Sequence, residues 1–373
     1  MKINIFPDYK QEGWLSMEVY AESLIRALKG LKIRDLKVKT FLALPKFSSF
    51  FPKEKKKARY FFRYVINPFF AFFNQGDVNH IIDQAYTPLL LSLNHRKTIV
   101  TCHDLIIPFW QERQSDLKRT WKSKLRLKIG KWRFAQLRKA AKIIAVSQAT
   151  KDKLVREIKI DPQKIVVIHE GVEEKFRKIK DQKKLLDFKN QYQLPDNFLL
   201  HVGSCADYKN IDGLLKIFYN LAKKKKNLFL IKVGENWQPK HLRLIKRLKI
   251  ENKIRHLGYL PEKELPLIYN LATVLVQPSF VEGFGLTVLE AMICSCPVFI
   301  SQAPALKEVT GQAGIIFNEK DEEGASLTIL KTLNNQKLLS NFVLKGEKRA
   351  RQFTWVRTAQ KTYQVYQEVK KLK

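Results

Sequence analysis

The stretch Pro278–Pro297, PSFVEGFGLTVLEAMICSCP, decides how the chain folds and what it handles. It leaves an apolar run at Gln277, passes two closely spaced glycines, and enters a helix-forming segment at Leu286. Gly283 and Gly285 remove side chains where a ligand's phosphates need close backbone approach. The N–H groups around Phe284, Gly285 and Leu286 open the helix, where an anion is favoured. Glu282 stands just before the helix and Glu290 lies one to two turns inside it. Two carboxylates flanking a phosphate nest suit a sugar on one side and a ribose on the other, because ionised carboxylates make the stronger hydrogen bonds to hydroxyls.

Working outward, short runs rich in Val, Ile and Leu alternate with helical patterns. The expected strands are Lys2–Phe6, Val38–Leu44, Val78–Ile82, Thr98–His103, Lys142–Val146 and Ile165–Ile168. A second series comprises Phe198–Val202, Leu228–Val233, Ile254–Leu257, Thr273–Gln277, Pro297–Ile300 and Gly314–Phe317. Runs of this kind suit parallel strands buried on both faces. Helices are expected between them, among others at Met17–Leu28, Thr150–Glu157, Asp212–Lys223, Glu262–Leu271 and Leu286–Cys294. The alternation predicts an α/β protein with two Rossmann-like, doubly wound parallel sheets. The pattern restarts near Phe198 after a charged stretch, Glu173–Asn190, which reads as a weakly ordered linker. The expected domains are an N-terminal one over 1–175, a C-terminal one over 190–354, and a closing helix over 355–373 that crosses back to the N-terminal domain.

The segment resembles the E-x7-E signature of retaining glycosyltransferases of the GT-B fold, specifically glycosyltransferase family 4. The resemblance implies two domains facing across a cleft, with a nucleotide-sugar donor and a hydroxyl acceptor. Glu282 matches the glutamate that contacts donor-sugar hydroxyls, and Glu290 the one that binds the ribose. Phe198–Asn210, FLLHVGSCADYKN, resembles the family's glycine loop, and Lys209 matches the lysine that supports the diphosphate. Gly203 is present, but Ser204 stands where many members carry an arginine. Leu257–Leu267 matches the segment beside the base, where Gly258, Tyr259 and Leu260 offer backbone contacts. In the N-terminal half, TIVTCHD at Thr98–Asp104 places His103 at the family's histidine near the reacting centre, and Asp104 reads as its orienting neighbour. QEGWLSMEVY at Gln11–Tyr20 keeps one glycine, Gly13, where two are common. Trp14 and Ser16 then shape the acceptor pocket. Glu170 replaces the familiar Asn before Gly-Val. The implied catalytic set is His103, Glu282 and Lys209.

No D-x-D motif in strand context and no His/Cys cluster is evident. No metal and no cofactor is therefore expected, and Lys209 with the helix-opening amides would carry the leaving-group charge. The four cysteines, Cys102, Cys205, Cys294 and Cys296, lack metal-site spacing and read as reduced, buried thiols of a cytosolic protein.

The chain carries 69 Lys and Arg against 35 Asp and Glu, a formal charge of +34 over 373 residues. Such an excess calls for an anionic partner. Nucleic acid is one such partner, but no nucleic-acid module is recognisable. The aromatic and cationic stretch Lys46–Asn74 fits the surface of an anionic membrane instead, at about 1 kcal/mol per cation. Lys53, Lys55, Lys56, Lys57, Arg59 and Arg63 are the expected headgroup contacts. A second basic stretch, Gln111–Lys139, carries Trp121 and Trp132. No run of about 18 apolar residues occurs. The expectation is a cytoplasmic, peripherally attached protein with a lipid-linked or polysaccharide acceptor.

Overall fold

The computed structural model describes residues 1–9, 15–42, 61–105 and 121–372. Gly13 and Trp14, residues 46–60 of the basic aromatic stretch, and residues 111–120 of the second one lie outside the described residues.

The chain divides into two compact units. One comprises Met1–Gly171 with Thr354–Lys373, the other Val172–Phe353. The first is built on β1 (Lys2–Phe6), β2 (Lys37–Thr40), β3 (Val78–Ile81), β4 (Thr98–Cys102), β5 (Lys142–Ala145) and β6 (Ile165–Val167). All pair in parallel, in the order β2-β1-β3-β4-β5-β6. The second holds β7 (Phe198–Val202), β8 (Phe229–Val233), β9 (Ile254–His256), β10 (Val274–Gln277), β11 (Val298–Ile300) and β12 (Gly314–Ile316). They too are parallel, in the order β12-β11-β10-β7-β8-β9. Each of the twelve apolar runs of the sequence forms a strand, shorter by a residue or more in most cases. Their aliphatic composition has its reason in burial: every residue of β4, β7 and β10 is buried.

The linker expectation needs correction. Gln182–Gln191 is a helix, not a weakly ordered stretch. Its charged composition hides a short apolar stripe, Leu185 and Phe188, that is buried, and the Asp181 side chain caps it by accepting from the Lys184 N–H. Capping and tertiary burial override weak propensity here.

The C-terminal helix Trp355–Lys371 belongs to the first unit. Trp355, Ala359, Val365, Tyr366 and Val369 join Ile3, Ile5, Tyr20, Leu24 and Ile144 in one apolar cluster. A buried polar chain crosses this packing. The Tyr366 hydroxyl lies 2.7 Å from Nδ1 of His80, and Nε2 of His80 lies 2.8 Å from Oγ1 of Thr101. Burial keeps His80 neutral, with its pKa pushed down to about 3.

Topology fixes where ligands bind. From β7 the second unit runs outward through β8 and β9, then returns and runs the other way through β10, β11 and β12. The switch point is between β7 and β10, and such sheets take ligands beyond the carboxyl ends of the strands there. The loops that leave β7 and β10 carry Gly203–Asn210 and Pro278–Gly285.

Candidate active site

At the end of β7 the chain runs through Gly203, Ser204 and Cys205. Glu235 accepts the Cys205 N–H at 2.7 Å, and the Gln238 side chain donates to the Cys205 carbonyl at 2.9 Å. The loop is therefore held from below by the segment after β8. A single turn, Asp207–Lys209, delivers the chain to Asn210, which sits in the left-handed conformation at φ 54°. Asparagine tolerates this region better than most residues. Its side chain then does two jobs. The oxygen caps the helix Ile211–Lys224 at the Gly213 N–H, and the amide donates to the carbonyls of Pro278 and Glu319 at 3.2 and 3.1 Å. The Pro278 bond ties the loop after β7 to the loop after β10, and Phe280 N–H to Tyr208 carbonyl, 2.8 Å, adds a second tie.

Those ties bring Lys209 to Glu282. Nζ lies 2.7 Å from Oε1 and 2.9 Å from Oε2. Oε1 also accepts from the Gln277 amide at 2.7 Å and from the Ser279 hydroxyl at 2.8 Å. Burial alone would raise the Glu282 pKa. The Lys209 charge and the bonds from Lys209, Gln277 and Ser279 outweigh it and hold the carboxyl below its ordinary value. It is an ionised, partly buried carboxylate beside a cation at a sheet switch point.

From Gly285 the helix Leu286–Ile293 begins. Gly285 has φ +115°, and a Cβ there would stand 2.9 Å from Cδ2 of Leu306. Only glycine suits this entry. The side chain of Phe284 turns inward, buried against Phe353 with ring centroids 6.0 Å apart. That leaves its backbone, not its ring, for any role at the helix entry. Glu290, further along the helix, has a different setting. The buried Tyr269 donates to its Oε2 at 2.8 Å, and burial pushes its pKa up to about 7. The structure thus joins Lys209 and Glu282 directly, while Glu290 sits apart on the helix with its own partner. Tyr259 is exposed, and Gly258 takes φ +67° in the turn expected to meet the base.

In the first unit, His103 follows β4 and is buried. Nδ1 lies 2.9 Å from Oε1 of Glu170, and Nε2 lies 3.0 Å from the Ile82 carbonyl. Both partners accept, so the ring that satisfies both is an imidazolium. Burial works against this cation, but the hydrogen bond and charge of Glu170, with Asp83 and the Ile82 carbonyl, raise its pKa overall. Glu170 is thus a charged partner of His103 inside the unit, which sequence spacing did not reveal.

Arg63 corrects one expectation. It was assigned to lipid headgroups but is buried, its guanidinium 4.8 Å from the centroid of the Tyr86 ring. Several described aromatics of that stretch are exposed. In the helix Asn67–Phe73, Phe69, Phe72 and Phe73 are exposed, as are Trp121, Ile129 and Trp132 of the helix Trp121–Ala135. Among the described residues no helix is long and apolar enough to cross a membrane, and no group of His, Cys, Asp and Glu is arranged to hold a metal. All four cysteines are free and buried.

Sequence reasoning missed Gln277, Ser279, Asn210 and Tyr269. Gln277 carried a signal: a carboxamide closing an otherwise aliphatic strand, next to the glycine-bearing loop.

Comparison with known proteins agrees with this layout. The chain is 36% identical over 180 residues to O-antigen chain mannosyltransferase B of Escherichia coli, covering 47% of each chain. It is 27% identical over 272 residues to the serotype-specific mannosyltransferase WbdA of Escherichia coli, covering 70% of this chain and 32% of the relative. The match thus spans less than half the length of either relative. Among solved structures, the sucrose-phosphate synthase of Thermosynechococcus elongatus superposes with a TM-score of 0.77 at 19% identity over 99% of both chains. HepE of Anabaena, in complex with UDP and glucose, gives 0.73 at 16% identity over 99% of this chain and 100% of its own. These two share the fold. The family model for Glycosyltransferase Family 4 matches residues 17–176, and that for Glycosyl transferases group 1 matches residues 182–349. With one model matching in each half, the chain belongs to the group 1 glycosyltransferases of the GT-B fold, family 4 type.

Proposed function

We propose that this protein transfers a hexosyl residue, mannose first among the candidates, from a UDP- or GDP-linked donor to a hydroxyl group. The acceptor is a growing polysaccharide or a lipid-linked saccharide. The observation that carries the reading is the Lys209–Glu282 pair at the β7/β10 switch point, beside the glycine-bearing entry to the helix Leu286–Ile293. Mannose is favoured because the relatives above are named mannosyltransferases.

In this reading Lys209 and the helix-opening amides receive the diphosphate. They stabilise the charge that grows on it as the anomeric C–O bond breaks, with no metal ion. Glu282 accepts from sugar hydroxyls, Glu290 from the ribose, and the turn at Gly258–Leu260 meets the base. The configuration is retained by substitution on one face of the sugar. The new C–O bond forms where the old one leaves, and the acceptor's proton passes to the departing phosphate oxygen. His103, already fixed as an imidazolium, supplies positive charge near the reacting centre and does not take up that proton. The exposed aromatics of Asn67–Phe73 and Trp121–Ala135, with the chain's basic excess, support peripheral attachment to the cytoplasmic face of an anionic membrane.

A thermal-shift panel of nucleotide sugars tests the donor. A ligand at 100 times its Kd stabilises by about 2.7 kcal/mol, so GDP-mannose or UDP-hexoses should stand out above the free sugars. A panel in which no nucleotide sugar shifts the melt, while duplex DNA does, would favour a nucleic-acid-binding protein. Product analysis separates transfer from epimerisation of the donor.

A further inference from the structure

Gln277 closes β10 and is 1% exposed. The three residues before it are Val274, Leu275 and Val276, all fully buried aliphatics. A buried carboxamide in such a place is costly unless its hydrogen bonds are used. The Gln277 Nε2 donates to Oε1 of Glu282 at 2.7 Å and lies 3.2 Å from Oγ of Ser279. The amide must present its NH2 to the carboxylate, since an ionised carboxylate only accepts. Its own Oε1 is buried without a hydrogen-bond partner among the described residues. The side chain is thus committed to Glu282 at the expense of its other half.

The two oxygens of Glu282 are held unequally. Oε1 accepts from Gln277, Ser279 and Lys209, whereas Oε2 accepts, among the described residues, from Lys209 alone. In the function proposed above Lys209 also receives the diphosphate. When it does so, Oε1 keeps two neutral donors and Oε2 is left to face hydroxyl groups.

We propose that Gln277 is a positioning residue for the donor sugar: it anchors Oε1 of Glu282 so that Oε2 meets the sugar hydroxyls after Lys209 turns to the diphosphate. The inference rests on the donor reading of this site. Ser279 helps, as the second donor to the same oxygen. Gln277 is almost fully buried and acts through Oε1 of Glu282, so its effect falls on the sugar half of the donor.

Calorimetric titration of the full chain with GDP-mannose, UDP-glucose, GDP and UDP tests this. The variant is Gln277→Met, which keeps length and volume and removes the donor. The expected result is about tenfold weaker binding of the nucleotide sugar, with the matching nucleoside diphosphate changed by less than about twofold, the scale of one hydrogen bond to a charged group. Ser279→Ala should move the same ratio in the same direction, and it provides the test if Gln277→Met does not fold. Equal loss for sugar nucleotide and free nucleotide, or no loss for either, would overturn the role of Gln277 while leaving the donor site intact. Failure of the wild-type protein to bind either sugar nucleotide would overturn the donor reading itself, and this inference with it.

Discussion

Glu282 and Glu290 belong to one loop-and-helix segment yet ionise in opposite directions. Glu282 has a cation and two neutral donors, which hold its pKa below the ordinary carboxylate value. Glu290 has no cation in hydrogen-bond contact among the described residues; burial raises its pKa to about 7, and the bond from Tyr269 offsets only part of that. The consequence is a titration near neutrality. Donor affinity should rise as pH increases through about 7, because the ionised Glu290 is the better acceptor for ribose hydroxyls. Glu290→Gln should flatten that rise, as read by donor titrations on either side of neutrality. The stability effect has the opposite sign. The folded-state pKa lies above the ordinary value of 4.5, so the unfolded chain releases the proton first, and the stability this group contributes at low pH is lost as pH rises from 4.5 through about 7. The two glutamates stood out in the sequence because they accompany two closely spaced glycines at a helix entry, and Lys209 stood out through the family resemblance of its loop. Gln277 and Tyr269 were not, because a residue that acts by touching another side chain leaves no spacing signal of its own.

At the level of the element, the entry to the helix Leu286–Ile293 depends on Gly285. A side chain there meets both an unfavourable φ of +115° and Cδ2 of Leu306 at 2.9 Å. Gly285→Ala should destabilise the second unit by about 1–3 kcal/mol, seen as a lower urea midpoint, and should displace Glu282 and weaken turnover as well. The strands were legible because buried parallel strands read as continuous Val, Ile and Leu runs. The helix Gln182–Gln191 was hidden by its lysines, since two buried side chains and one Asp cap are a faint pattern among charges. The turn that aims Lys209 was equally hidden. It rests on Asn210 at positive φ, bonded to a carbonyl far along the chain.

For the whole molecule, the sheet of the second unit brings the loops after β7 and β10 together at its switch point, and the chain carries a basic excess of +34. Exposed Phe69, Phe72, Phe73, Trp121 and Trp132 lie on the first unit, while Arg63, expected among them, is buried beneath Tyr86. Charge count and aromatic content are visible in a sequence; which cations face outward is decided by packing. Co-sedimentation with vesicles should increase with the fraction of anionic lipid, and Phe69→Ser with Phe73→Ser should reduce it without changing the melting temperature. Binding indifferent to lipid charge would remove the membrane from the account. The central claim is that Lys209 and Glu282 form the donor site, and steady-state turnover of Lys209→Ala and Glu282→Ala with the nucleotide sugar that stabilises the wild type tests it most directly. The account predicts that each variant stays folded by circular dichroism and loses about 100- to 1,000-fold in kcat/KM, the scale of a missing transition-state contact; near wild-type turnover in both folded variants would contradict it.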